Sequence, residues 1–124
     1  MSGNNPVGWF EIYVQDMARA KAFYQTVLGL ALTPVTDAGM DMQMFPHQTG
    51  NAGASGALVR MDGMPSGGNS VLVYFMCADC AVEAARVPAA GGKVFKEKFA
   101  IGQYGHIALA VDPDGNMFGL HSMQ

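Results

Sequence analysis

The chain repeats itself at a constant offset of 63 positions, and this repeat restricts the possible folds more than any other feature. Laying residues 9–32 over residues 72–95 puts Asp16 on Asp79, Ala18 on Ala81, Ala22 on Ala85 and Gly29 on Gly92. Phe10, Ile12 and Val14 fall on Val73, Phe75 and Cys77. Each stretch reads as an apolar strand, an Asp suited to capping a helix N-terminus, a helix, and a Gly that stops it.

In the first half, residues 8–14 are rich in aromatic and β-branched side chains, which predicts a strand. Met17, Ala20, Phe23, Tyr24, Val27 and Leu28 then follow helical spacing, closed by Gly29. In the second half, residues 71–77 read as a strand, and Ala81 to Arg86 as a helix running towards Gly91 and Gly92. Pro88 has no N–H to give the Ala84 carbonyl, so a kink or an early end is expected there. Three further strands are expected in each half, over 30–36, 40–46 and 55–61, then 92–99, 104–111 and 116–121. Asp112-Pro113-Asp114-Gly115 joins the last two as a type I turn. Residues 48–56 and 62–70, rich in Gly, Ser, Asn and Pro, read as loops. The expected organisation is one domain over 1–124, with a first module at 8–61, a linker at 62–70 and a second module at 71–121.

Composition narrows the function. Half of the 124 residues are hydrophobic and 14% are charged, which suits a packed core. The net charge is −3 and no basic patch forms, since Lys93, Lys96 and Lys98 have Glu97 among them. Nucleic-acid binding is not expected. No apolar run reaches the length of a membrane span. The opening residues are small and polar, unlike a leader, so a cytoplasmic location is the expectation. Ten Met residues point to an adaptable interior or pocket wall.

Four segments carry a family resemblance: WFEIYVQDMARAKAFYQTVLGL at 9–30, GALV at 56–59, AAGGKVF at 89–95 and GHIALAVDPDGNMFGL at 105–120. Together with the βαβββ–βαβββ order, they resemble the vicinal oxygen chelate superfamily. That group includes glyoxalase I, the bleomycin-resistance proteins and extradiol dioxygenases. The resemblance implies an α+β fold in which two βαβββ modules curl their mixed sheets into a cup. It also implies a homodimer. Metal-dependent members of the family place a His or Glu at each of four cup-facing positions. The corresponding positions here are Trp9, roughly Ala57, Leu72 and Gly119, and none of these can bind a divalent metal. The resemblance therefore implies no metal and no cofactor.

Strand side chains alternate between faces. If Trp9 holds the first ligand position, Glu11 and Tyr13 face the cup with it. By the same rule Met117 and His121 face the cup with Gly119, and Leu72, Tyr74 and Met76 face it as well. This lining is aromatic and thioether-rich, as small-molecule sites usually are. Glu11 is the candidate catalytic base or ligand-orienting group; it could equally pair with an Arg or a hydroxyl at the rim. A displaced metal site would have only Glu11 and His121, which are too few. His106 is expected to face solvent or a neighbouring subunit, and His47 to sit at a loop rim. Met40, Met42 and Met44 alternate with Asp41, Gln43 and Phe45, and either set could face the cup. Cys77-Ala78-Asp79-Cys80 has the spacing of a redox motif, but Cys77 aligns with Val14 and reads as a small buried residue.

Three functional readings follow. The first is a metal-independent binding protein that sequesters an aromatic or cationic compound. The second is an enzyme of lyase, isomerase or dioxygenase type, similar to lactoylglutathione lyase, with Glu11 as base or a displaced metal site. The third is a module that mainly associates with another protein.

Overall fold

A computed structural model describes residues 5–36, 39–48, 50 and 52–124. The first four residues, read above as unlike a leader, and two positions in the expected loop 48–56 lie outside them.

The first half contains β1 (Phe10–Tyr13), α1 (Met17–Leu28), β2 (Thr33–Pro34), β3 (Asp41–Met44) and β4 (Gly56–Arg60). The second contains β5 (Tyr74–Met76), α2 (Cys80–Arg86), β6 (Lys93–Ala100), β7 (His106–Val111) and β8 (Met117–Ser122), with a 3-10 turn at Gly102–Tyr104. Each half forms its own open four-stranded sheet, in the orders β1-β4-β3-β2 and β5-β8-β7-β6. The two orders are one pattern repeated. In each, the opening strand pairs in parallel with the last, and the remaining pairs are antiparallel. This is the α+β fold that the resemblance implies.

Local chemistry explains both helices. The Asp16 carboxylate accepts the Arg19 N–H at 3.1 Å, and Gly29 ends α1 in the left-handed region at φ 68°. The Asp79 carboxylate accepts the Ala81 N–H at 3.0 Å and caps α2. The second helix does not run to Gly91 and Gly92. It stops at Arg86, and the Ala84 carbonyl takes the Val87 N–H at 3.2 Å instead. Pro88 enforces that early end, as its missing N–H requires. The Gly92 N–H donates to the Val87 carbonyl at 3.0 Å and closes the turn that follows α2. A Cβ there would sit 2.7 Å from a Phe23 ring carbon and closer still to the Val111 carbonyl, so this Gly permits a tight crossing of the two halves.

One apolar cluster spans both halves. It includes Ile12, Val14, Phe23, Tyr24, Phe45 and Leu58 from the first, and Val87, Ala108, Phe118 and Leu120 from the second. Tyr24 meets Phe118 with ring centroids 5.5 Å apart, and Phe10 meets Phe75 at 5.9 Å.

Strand register assigns the opposite, open faces. Residues directly paired across strands share a face. Glu11 pairs with Ala57, which pairs with Met44; Tyr13 pairs with Val59, which pairs with Met42. Phe45 is buried in the core cluster. The Met set therefore shares the open face with Glu11 and Tyr13, while Gln43 and Phe45 point to the helices. In the second sheet Tyr74, Gly119 and Leu109 form one open-face row, and Met76, His121 and Ile107 the next.

Candidate functional site

On the first sheet the open face converges on Glu11. Trp9 Nε1 donates to Glu11 Oε2 at 3.2 Å, and the Tyr13 hydroxyl donates to Glu11 Oε1 at 2.7 Å. Alternation puts all three on one face, and the carboxylate lies between an indole and a phenol. The Tyr13 hydroxyl is the rim partner considered for Glu11. That hydrogen bond, helped by some burial, raises the Tyr13 phenol above its ordinary value. Glu11 itself is exposed to solvent.

Beside this triad lies a cavity of about 210 Å³ at the seam of the two halves. Glu11 and Tyr13 line one side; Asn69, Val71, Met117 and Phe118 line the other. The linker roofs it and is pinned from both halves. Gln15 Nε2 donates to the Met64 carbonyl and to Ser66 Oγ, both at 2.9 Å. Ser66 Oγ donates to the Tyr13 carbonyl at 2.5 Å, and the Gly67 N–H to Asn116 Oδ1 at 2.7 Å. Asn69 binds the Met117 backbone on both sides, through its Nδ2 and its Oδ1, at 3.2 Å each.

On the second sheet, Tyr74 is 44% exposed and Met76 73% exposed. Leu72 lies just outside β5, which begins at Tyr74, and is also exposed. Alternation along a regular strand therefore does not govern it as the sequence reading assumed. His121 Nε2 lies 2.7 Å from the Tyr104 carbonyl, so its ring is tethered to the 3-10 turn.

The structure brings Glu11, Tyr13 and Met117 to one cavity and holds Trp9 against Glu11. Tyr74, Met76 and His121 stand on the open face of the other sheet. The residues that the resemblance puts at metal positions have the wrong chemistry for a metal. Trp9, Ala57, Leu72 and Gly119 offer no ligand atom in their side chains. No cluster of three or more His, Cys, Asp or Glu able to hold a metal occurs among the described residues. Position 119 is blocked as well: a Cβ there would fall within 3.0 Å of three carbons of the Tyr74 ring.

Other candidates separate from the site. His106 does not face open solvent. It is half-buried on β7, on the helix side with Ala108 and Ala110, and its Nδ1 has no hydrogen-bond partner among the described residues. His47 is exposed beside Pro46 on the loop rim. The Cys77 thiol is pushed up to about 12, first by burial and then by the Glu83 carboxylate beside it. Cys80 is fully buried. A reactive dithiol needs an accessible thiolate, so this pair is a packing element.

Sequence reasoning missed the clamp around the hairpin turn. Tyr24, buried in α1, donates its hydroxyl to Asp112 Oδ2 at 2.7 Å. Asn116 Nδ2 bridges Asp112 Oδ2 at 3.0 Å and the Tyr13 carbonyl at 3.1 Å. The Asp114 carboxylate accepts from the Gln15 N–H at 3.1 Å and pairs with Arg19 at 2.6 Å. The Asp-Pro-Asp-Gly-Asn run marked the turn. That its polar side chains point across the seam required the tertiary fold.

Comparison with known proteins agrees with this architecture. Residues 7–120 match the family model described as the Glyoxalase/Bleomycin resistance protein/Dioxygenase superfamily. The CFP32 proteins of Mycobacterium tuberculosis and Mycobacterium bovis, whose glyoxylase names are provisional, are 32% identical over 114 residues. That match covers 90% of this chain, and the chain spans 42% of their length. A glyoxalase/bleomycin resistance protein from Albidiferax ferrireducens T118 superposes with a TM-score of 0.73 at 20% identity, over 94% of this chain and 97% of that one. TnmS3, an antibiotic binding protein from Streptomyces sp. CB03234, superposes with a TM-score of 0.69 at 25% identity, over 98% of each chain. The match across nearly the whole sequence, on a duplicated βαβββ frame, makes this chain a member of the glyoxalase, bleomycin resistance protein and dioxygenase superfamily.

Proposed function

We propose that the chain is a metal-independent small-molecule-binding protein that takes up an aromatic or cationic compound. The observation that carries this reading is the Glu11 carboxylate, held by Trp9 and Tyr13 beside the seam cavity. A carboxylate flanked by two aromatic rings attracts a cation through charge and through the ring faces. The Met42 and Met44 wall adds an adaptable apolar surface. The likeness to TnmS3 supports the same reading. Both Glu11 oxygens already accept hydrogen bonds, which suits orienting a ligand better than taking up a proton. The exposed apolar side chains of Val71 and Leu72 support a homodimer as part of this reading.

A thermal-shift screen with amphipathic cations and aromatic antibiotics, with and without added Zn or Ni, tests it. The expected result is a rise in melting temperature that is independent of metal and weakened in Glu11→Gln. A rise seen only with metal would overturn the metal-independent part. No rise with any compound would remove the binding reading.

A further inference from the structure

The second sheet has a feature that packing alone does not require. Tyr74 and Gly119 are direct partners on β5 and β8. The Tyr74 ring leans across this pair and occupies the space where a side chain at 119 would begin. Position 119 must therefore be Gly for the ring to lie there. The ring is on the open face, away from the shared core, and the residue keeps 44% of its surface exposed.

The repeat makes the placement informative. Tyr74 is the counterpart of Glu11 at the offset of 63, and Gly119 faces Tyr74 as Ala57 faces Glu11. The two halves thus present, at equivalent points, a carboxylate and a flat aromatic ring. The first half also lays a ring over a Gly, since a Cβ on Gly56 would strike the Phe10 ring. That ring, however, packs against the core. Only in the second half does the ring lie on the open face.

We propose that Tyr74, laid across Gly119, is a stacking platform that replaces the family's metal-ligand position and takes the ring system of a planar aromatic ligand. Restoring a carboxylate at 119 would not rebuild a metal corner while the ring is in place. Stacking on an exposed ring favours flat, polarisable partners over flexible aliphatic ones. The flanking Met76 and His121 pair offers further soft contact at the platform's edge.

This inference rests on the small-molecule reading above, and two probes of like charge separate the two. Binding of proflavine, a planar tricyclic cation, and of decyltrimethylammonium, an aliphatic cation, is measured by calorimetry on the full chain. Tyr74→Leu is expected to weaken proflavine about tenfold and decyltrimethylammonium less than about twofold. Tyr74→Phe should retain proflavine binding, and Gly119→Ala should lose it, because the added Cβ displaces the ring. An NMR measurement checks the geometry without any ligand. A Gly119 α-proton should be shifted upfield by the ring in the wild type and in Tyr74→Phe, and not in Tyr74→Leu. If both probes bind and Tyr74→Leu weakens them equally or not at all, the platform is wrong and the binding reading survives. If neither probe binds, both fail. An unshifted Gly119 α-proton in the wild type would also overturn the platform. So would a Tyr74→Leu variant that changes sedimentation behaviour but not proflavine affinity, because the ring would then serve a contact between copies.

Discussion

The Tyr24 hydroxyl donates to the Asp112 carboxylate at 2.7 Å, joining residues 88 positions apart and tying α1 of the first half to the hairpin turn of the second. Both residues are buried. Burial, with Asp112 beside it, raises the Tyr24 phenol well above its ordinary value, so Tyr24 stays a donor. Burial is also the largest influence on Asp112 and raises its carboxyl, against the lowering effect of the Tyr24 and Asn116 hydrogen bonds. The fold therefore holds a proton on Asp112 more readily than the unfolded chain does. The ionised carboxylate costs stability above its folded pKa, and that cost is relieved as pH falls through it.

Tyr24→Phe should lower unfolding stability by about 1–3 kcal/mol at neutral pH, because it leaves a buried carboxylate one donor short. The loss should shrink as pH falls through the raised Asp112 pKa towards about 3.9, the ordinary value. Urea titrations of both proteins at several pH values measure this. A loss that grows on acidification would contradict the assignment.

Glu11→Gln should change stability by no more than about 0.5 kcal/mol, since the side chain is exposed. It should also lower the Tyr13 phenol, whose upward shift comes first from the Glu11 hydrogen bond. Ultraviolet difference titration should show one of the four Tyr ionising at lower pH in the variant.

Cys77 and Cys80 should resist a thiol-reactive disulfide reagent in the folded protein. With its pKa pushed up to about 12, Cys77 should react roughly three orders of magnitude more slowly at pH 8 than an ordinary thiol with a pKa of about 8.5. Full reactivity should return in guanidinium. Rapid labelling of the native protein would reopen the redox reading.

Gly92→Ala should destabilise the protein by about 1–3 kcal/mol through overpacking, because the new Cβ meets the Val111 carbonyl and the Phe23 ring. Gly8→Ala, with open space around it, is the matched control and should be nearly neutral. Thermal unfolding of the pair reads the difference.

Much of the frame was legible in the sequence because its determinants are local. Asp16 and Asp79 cap the helices where their spacing indicated. Pro88 cut the second helix short, since a missing N–H is a property of the residue itself. Several strands proved shorter than their apolar runs suggest, most clearly β2, which keeps only Thr33–Pro34 of the expected 30–36. A strand ends where its ladder partner ends, and no single strand's sequence contains that information.

The sequence by itself determined the duplicated order, the capped helix starts and the absence of ligand side chains at Trp9, Ala57, Leu72 and Gly119. Only the tertiary structure decided which face each strand shows. Register made the Met set, rather than Asp41, Gln43 and Phe45, share the open face with Glu11. It laid the Tyr74 ring over Gly119 and brought Asp112 to Tyr24 across the seam. Alternation divides a strand into two sets of side chains, but only pairing and packing against the shared core fix which set is buried.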